Sequence, residues 1–147
     1  MIKMIDVGKK STTHRVAVAK CEVHVSKSTL QKIKKGNLPK GDVLTAAKLA
    51  GILAAKKTSE LLPLCHPLNI THADMEIQIN DKKSLIEITS SVSIDSKTGV
   101  EMEALTACSI AALTIYDMCK SVQKDIMISN LRLVKKTGGK SGIYKAK

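Results

Sequence analysis

The sequence predicts an α+β fold of the ferredoxin-like (split βαβ) type, an antiparallel sheet with its helices on one face, here with one extra helix. Three observations lead to this class. Alternation of apolar and polar residues marks four strands, apolar stretches of helical length separate them, and the elements follow the order β, α, α, β, β, α, β. The 147 residues suffice for one domain but not for two.

The first half of the chain is predicted to contain one strand and two helices. A strand is expected over 15–25, where positions 17, 19, 21, 23 and 25 are apolar and the even positions from 20 onward are polar. Ser26 then begins a segment suited to an N-cap, and a short helix ends at Gly36. A second helix begins with Asp42 as its cap and continues to about Leu61.

The second half is predicted to contain a hairpin, a long helix and a last strand. Apolar residues alternate with polar ones over 75–79 and again over 86–94, and a polar turn between these stretches reverses the chain. A helix that is apolar on almost every side runs from about Val100 to Ser121. The final strand is expected over about 126–135.

The charge of the chain predicts an anionic partner. Lys and Arg number 24 against 13 Asp and Glu, a net charge of +11, which suits nucleic acid, an acidic membrane surface or a phosphorylated metabolite. A nucleic-acid-binding module is the main alternative to an enzyme, and it predicts aromatic stacking residues on a basic stripe. Tyr116 and Tyr144 are the only aromatic residues, and the lysines are spread along the whole chain, so this alternative is disfavoured.

The cysteines and the apolar segments predict a cytoplasmic protein. The four cysteines form neither CxxC nor CxxxC, which disfavours a zinc ribbon or a redox pair. The first ten residues lack the apolar region of a signal peptide, and no window of 18 residues is apolar and uncharged throughout. Neither a membrane partner nor a protein-bound metal is therefore expected.

The end of the long helix carries a pair of charges suited to catalysis. Asp117 lies in the last turn, where the negative end of the helix dipole disfavours a carboxylate, and Lys120 on the same face offsets this effect. A surface ion pair is the simplest interpretation, and a purely structural oligomerisation domain would explain the apolar helix without this pair. Because the preceding turns are apolar, we expect the pair to line a cleft or an interface, where a partly desolvated lysine is suited to acid–base catalysis.

Two other segments have the composition of ligand-binding loops. Pro63 and Pro67 fix the backbone around Cys65 and His66, and neighbouring residues rarely ligate one metal together, so a hydrogen bond to a substrate is favoured over zinc. Lys40 precedes a helix start, where free N–H groups and the helix dipole bind phosphate. An ordinary helix cap with a solvated lysine is the alternative interpretation of Lys40.

Five blocks of the sequence are distinctive: Asp6-Val7 with Arg15, KGDVLTAAKLAGILAAKKT from Lys40, LLPLCHPL from Leu61, GVEMEALTACSIAALTIYDMCK from Gly99 and LVKKTGGKSG from Leu133. Taken together, these blocks resemble the MoaC family of cyclic pyranopterin monophosphate synthases, which act in molybdenum cofactor biosynthesis, and they follow the family's order over nearly the whole chain. The departures are a short amino-terminal arm, Gly8 where the family has serine, and a weak match over 21–37.

The resemblance implies a lyase that converts 3′,8-cyclo-7,8-dihydroguanosine 5′-triphosphate into cyclic pyranopterin monophosphate and pyrophosphate. It implies one MoaC-like catalytic domain over 1–147 with a flexible tail at 137–147, assembled as a homohexamer, a trimer of dimers, with active sites at subunit interfaces. No cofactor is implied, apart from Mg²⁺ as a companion of the substrate's phosphates. By residue, it implies catalytic roles for Asp117, Lys120 and Lys40, substrate binding by Leu64, Cys65, His66, Met102 and Glu103, and triphosphate binding by Arg15, Lys136 and Lys140.

Overall fold

A computed structural model describes residues 1–147 as five strands and four helices. The strands are β1 (Thr13–His24), β2 (His72–Asn80), β3 (Leu85–Ser96), β4 (Met127–Thr137) and β5 (Tyr144–Lys145). The helices are α1 (Lys27–Lys35), α2 (Val43–Lys56), α3 (Thr58–Leu61) and α4 (Glu101–Cys119).

The five strands form one sheet in the order β2-β3-β1-β4-β5, and every neighbouring pair is antiparallel. β1 and β2 are joined through the helices α1, α2 and α3, and β3 lies between them in the sheet. This is the split βαβ arrangement, so the predicted α+β class with an antiparallel sheet is confirmed.

The predicted caps of the first two helices are present. The Ser26 side chain accepts a hydrogen bond from the backbone N–H of Thr29, and Gly36 ends α1 in the left-handed conformation at φ 68°. The Asp42 side chain accepts one from the N–H of Thr45 at the start of α2. Local chemistry therefore sets these helix ends.

Two features differ from the expected elements. The second helix is interrupted at Lys57 and resumes as α3, because the buried hydroxyl of Thr58 donates to the carbonyl oxygens of Ala54 and Ala55 and satisfies the end of α2. The segment 137–147, expected as a flexible tail, contains β5, which pairs with the end of β4.

The core lies between one face of the sheet and the helices α2 and α4. The buried positions of β1 alternate, as the sequence predicts for a strand with one covered face. Small residues let the two helices approach closely: a Cβ on Gly51 of α2 would lie 3.1 Å from the backbone oxygen of Ala107 on α4 and 2.8 Å from the Met75 terminal methyl. This contact fixes α4, which carries candidate site residues at both ends.

The helix α4 has the length and the apolar composition of a membrane-spanning segment, and half of it is buried inside the protein. Nine of its residues are buried, including Ala104, Ala111 and Ile115. These are the properties of a core helix, and they account for the apolar composition without a membrane.

Candidate active site

The carboxyl end of α4 holds three candidate catalytic residues in contact, here called the Asp117 cluster. Asp117 Oδ1 lies 2.9 Å from Lys120 Nζ, and Asp117 Oδ2 accepts a hydrogen bond from Lys40 Nζ at 2.7 Å. Lys120 reaches Asp117 from the helix C-cap, while Lys40 comes from the loop that precedes α2. All three side chains are about half exposed, so the cluster is open to a ligand.

The contacts within the cluster set its charges. The hydrogen bonds from Lys40 and then Lys120 lower the pKa of Asp117 to about 2, and the bond to Asp117 raises the pKa of Lys120. At neutral pH Asp117 is therefore a carboxylate and Lys120 an ammonium group. Lys120 can donate a proton, whereas Asp117 holds both lysines in place and carries no proton to give.

The titration of Lys120 tests this electrostatic assignment. In Asp117→Asn the ammonium group loses its anionic acceptor, so we expect the pKa of Lys120 to fall from its raised value. Reductive ¹³C-methylation of the lysines followed by an NMR pH titration measures the change, with the Lys120 resonance identified in Lys120→Arg. An unchanged Lys120 midpoint in Asp117→Asn would show that Asp117 does not control this charge.

A cavity of about 480 Å³ lies at the other end of α4 and is called the loop cavity here. Its walls come from the amino-terminal arm, the proline-containing loop after α3 and the first turn of α4. All five residues with an implied substrate-binding role line it: Leu64, Cys65, His66, Met102 and Glu103. The structure thus brings together residues that lie about 40 positions apart in the sequence.

The loop cavity contains a buried carboxylate and a protonated thiol. Glu103 is only 4% exposed and has no ion-pair partner, and desolvation, followed by the charge of Glu101, raises its pKa. Burial, followed by the charge of Glu103, raises the pKa of Cys65, so this thiol is not an activated nucleophile. A buried carboxylate without an ion-pair partner favours a ligand that donates hydrogen bonds, such as the N–H groups of a guanine-like ring.

A second cavity, of about 470 Å³, adjoins the first and is called the basic cavity. Its charged lining residues are Lys9, Lys10, Arg15 and Lys140 together with a single acid, Asp6. Lys10 lines both cavities. Four cations around one space form a site suited to a polyphosphate.

Arg15 is the most constrained residue of the basic cavity. It is 7% exposed, and its Nε and Nη2 atoms donate to the carbonyl oxygens of Ser96 and Lys97. Gly139, at φ 79°, lies so close that a Cβ there would be 2.4 Å from Arg15 Nη1. Glycine at this position lets the guanidinium group pack against the backbone, which brings Lys140 and Arg15 into one cavity.

Lys136 has a different environment from Arg15 and Lys140. Its Nζ lies 2.5 Å from Glu101 Oε1, both side chains are about three-quarters buried, and Lys136 lines neither cavity. Lys9 and Lys10, which the sequence interpretation did not single out, line the basic cavity instead. The signal that could have found them is the pair of adjacent lysines a few residues before β1.

The cavities and the Asp117 cluster lie at opposite ends of α4. Glu103 and Asp117 are separated by 14 positions of one helix, which corresponds to about 21 Å along its axis. A catalytic group must come within about 3 Å of the atom it protonates. One chain therefore assembles both sets of residues but does not bring them to the same ligand.

Other classes of site find little support in the structure. No three His, Cys, Asp or Glu side chains come together as a metal site. Tyr116 donates its hydroxyl hydrogen to the carbonyl oxygen of Lys124, and Tyr144 lies on the short strand β5, so the two rings form no stacking platform. A third cavity, about 180 Å³ on the open face of the sheet, is lined by side chains of both charges.

A family model and three similar proteins all point to one family. The model of the MoaC family matches residues 4–139. The cyclic pyranopterin monophosphate synthase of Heliobacterium modesticaldum is 54% identical over 97% of this chain and 89% of its own length. The synthase of Nitratidesulfovibrio vulgaris is 54% identical over 99% of this chain and 90% of its own length. That of Listeria monocytogenes serotype 4b is 56% identical over 98% of this chain and 89% of its own length.

Proposed function

We propose that this chain, which belongs to the MoaC family, is a cyclic pyranopterin monophosphate synthase, a lyase of molybdenum cofactor biosynthesis. Its substrate would be the cyclised dihydroguanosine triphosphate, and its products cyclic pyranopterin monophosphate and pyrophosphate. The observation that carries the proposal is the agreement of the MoaC family match with two preformed half-sites, a lysine–aspartate cluster and a pair of ligand cavities.

The two cavities divide the substrate between them. The ring system, which carries N–H donors, suits the loop cavity, where Glu103 is a buried acceptor without an ion-pair partner. The triphosphate suits the adjoining basic cavity with Arg15 and Lys140. We include Lys9 and Lys10 in this set and assign Lys136 a supporting position against Glu101. Mg²⁺ would enter only with the phosphates, which supply the oxygen ligands it prefers.

The Asp117 cluster would carry the proton transfers. Formation of the cyclic phosphate joins a substrate hydroxyl oxygen to the α-phosphorus and breaks the bond to the pyrophosphate leaving group. The hydroxyl proton would leave on an oxygen of the departing pyrophosphate, and the ring rearrangement before this step needs further proton transfers. Lys120, as an ammonium group, would donate a proton in that rearrangement, Lys40 would act beside it, and Asp117 would orient both lysines.

A second copy of the chain would complete the active site. The exposed side of α4 between Met102 and Asp117 is largely apolar, with Leu113 more than half exposed, and Leu49 and Leu53 of α2 are exposed as well. Ser109 and Ile110 lie midway between the two ends. A two-fold axis near this midpoint would pack two α4 helices antiparallel and set the Asp117 cluster of one copy beside the loop cavity of the other.

Such dimers are the building block of the hexamer implied by the resemblance, and we propose that assembly for this chain. We also place the enzyme in the cytoplasm. All four cysteines are free and three are buried, which suits a reducing compartment.

The test is turnover by the purified protein. Incubation with the cyclised dihydroguanosine triphosphate is expected to yield cyclic pyranopterin monophosphate and one equivalent of pyrophosphate, measured by chromatography and by a coupled pyrophosphate assay. Tight, salt-dependent binding to RNA or DNA without turnover would instead support a nucleic-acid-binding module.

A further inference from the structure

The amino-terminal arm, residues 1–12, forms part of the loop cavity's wall, and the proposed reaction gives most of it no role. Most of the arm is exposed. Two long-range hydrogen bonds hold it: His66 Nε2 lies 2.7 Å from the Ile5 carbonyl oxygen, and Lys97 Nζ donates to the Gly8 carbonyl oxygen at 3.1 Å. The first of these bonds involves the only imidazole in the loop cavity.

The bond to Ile5 determines where the His66 ring carries its hydrogen. A backbone carbonyl oxygen can only accept, so Nε2 must donate. In a neutral imidazole one nitrogen donates and the other accepts, and the partner of one nitrogen fixes the role of the other. Nδ1 of His66 is then an acceptor, and no group of the protein donates a hydrogen bond to it.

We propose that the backbone carbonyl of Ile5 is a positioning group that holds His66 in the Nε2–H tautomer and leaves Nδ1 as the acceptor for the ligand in the loop cavity. The proposal rests on the proposed function, because it takes the ligand to be the substrate's ring system with its N–H and O–H donors. Together with Glu103, Nδ1 would give the cavity two acceptors.

The arm is needed for this arrangement because the loop itself fixes only the backbone of His66. Pro63 and Pro67 restrict the main chain, whereas the imidazole can rotate about its two side-chain torsions. Without the Ile5 carbonyl, either ring nitrogen can carry the hydrogen and the ring can turn. The Ile5 carbonyl therefore acts on the substrate through His66 and not by direct contact, unlike Lys9 and Lys10 of the same arm, which line the basic cavity.

Nitrogen NMR of the imidazole rings tests the tautomer directly. The chain has four histidines, and His66→Gln identifies the His66 signals. In alkaline buffer, full-length protein is expected to show a protonated Nε2 and an unprotonated Nδ1. A chain beginning with a new Met before Val7 lacks the Ile5 carbonyl, and its two His66 nitrogen shifts are expected to move toward each other.

A matched truncation separates the Ile5 carbonyl from the rest of the arm. A chain that begins at the native Met4 loses three residues, keeps Ile5 and is expected to show the full-length pattern. The proposal is overturned if full-length protein shows a protonated Nδ1, or if the chain beginning before Val7 keeps the full-length pattern. Because no substrate is present, these outcomes do not depend on the proposed reaction.

Two substitutions at His66 add a kinetic test. His66→Asn keeps an acceptor oxygen near the position of Nδ1, whereas His66→Gln keeps a donor near the position of Nε2 and loses the acceptor. We expect His66→Asn to retain a kcat/KM about tenfold above that of His66→Gln, on the order of one hydrogen bond to the substrate. Equal activity, or a more active His66→Gln, overturns the acceptor role of Nδ1. Absence of turnover by the unaltered enzyme would count against the proposed function, and the NMR result would still decide the tautomer.

Discussion

Replacing Asp117 by asparagine is expected to lower kcat/KM by about 10³-fold or more, within the range found for acid–base groups. The amide keeps the shape of the side chain but removes the charge that holds Lys40 at 2.7 Å and Lys120 at 2.9 Å. Because Asp117 is half exposed, the folded state should lose little stability, and the melting temperature should stay within about 3 °C of that of the unaltered protein. Steady-state pyrophosphate release and thermal unfolding measure the two effects.

A second carboxylate provides the control for Asp117. Asp81 is exposed and paired with Lys34, outside both half-sites, so Asp81→Asn removes a comparable ion pair without touching the proposed chemistry. We expect its turnover to equal that of the unaltered enzyme. Normal turnover in Asp117→Asn would show that the reaction does not need the Asp117 carboxylate. A large loss of turnover in Asp81→Asn would mean that the change in overall charge explains the effect.

Replacing Gly51 by leucine is expected to destabilise the fold by more than about 3 kcal/mol, at the upper end of overpacking effects. Even a methyl group at this position would meet the Met75 side chain at 2.8 Å and the Ala107 carbonyl oxygen at 3.1 Å. The Met75 side chain can move, but the backbone of α4 cannot move without disturbing the sheet beneath it. Urea unfolding followed by circular dichroism measures the change.

Two further substitutions on α2 calibrate the effect at Gly51. Gly51→Ala adds one methyl group and gains about 1 kcal/mol of helix propensity, so its net destabilisation should be well below that of leucine. Lys56 is exposed in the last turn of α2, so Lys56→Leu places leucine on the same helix without crowding the core. It should change stability by less than about 0.5 kcal/mol. If Gly51→Leu unfolded at the same urea concentration as Lys56→Leu, the close packing of α2 on α4 would be wrong.

The sequence predicted those parts of the fold that depend on neighbouring residues. The caps at Ser26 and Asp42 and the end of α1 at Gly36 follow from contacts within four residues, and the structure has all three. The break between α2 and α3 depends on a buried Thr58 hydroxyl, and β5 depends on pairing with β4. The pairing of β5 is a tertiary contact that no local pattern encodes. The Thr58 bonds reach only three and four residues back, but propensity and periodicity do not reveal them because they depend on the Thr58 side chain and not on the apolar pattern.

The candidate site shows the same division between local and long-range information. The contact of Asp117 with Lys120 follows from their spacing on one helix, whereas Lys40 joins them from 77 positions away. Only the resemblance to a family suggested that third member. The resemblance to a family implied that Lys136 binds the triphosphate, and this role stays a prediction. Its pairing with Glu101 is a tertiary contact that composition does not reveal.

The central claim is that the Asp117 cluster of one copy acts on a ligand held by the cavities of another, because α4 separates the two within one chain. Co-expression of Asp117→Ala with Glu103→Gln tests it. The first variant lacks the carboxylate of the Asp117 cluster, and the second lacks the carboxylate of the loop cavity at the other end of α4. Random pairing gives mixed dimers as half of the total, each with one intact site of two, so activity should recover to about one quarter of the unaltered level. Recovery to that level is the expected result. Activity that stays at the sum of the two separate variants, in preparations where differently tagged subunits co-purify, would contradict the claim and place a complete site within each chain.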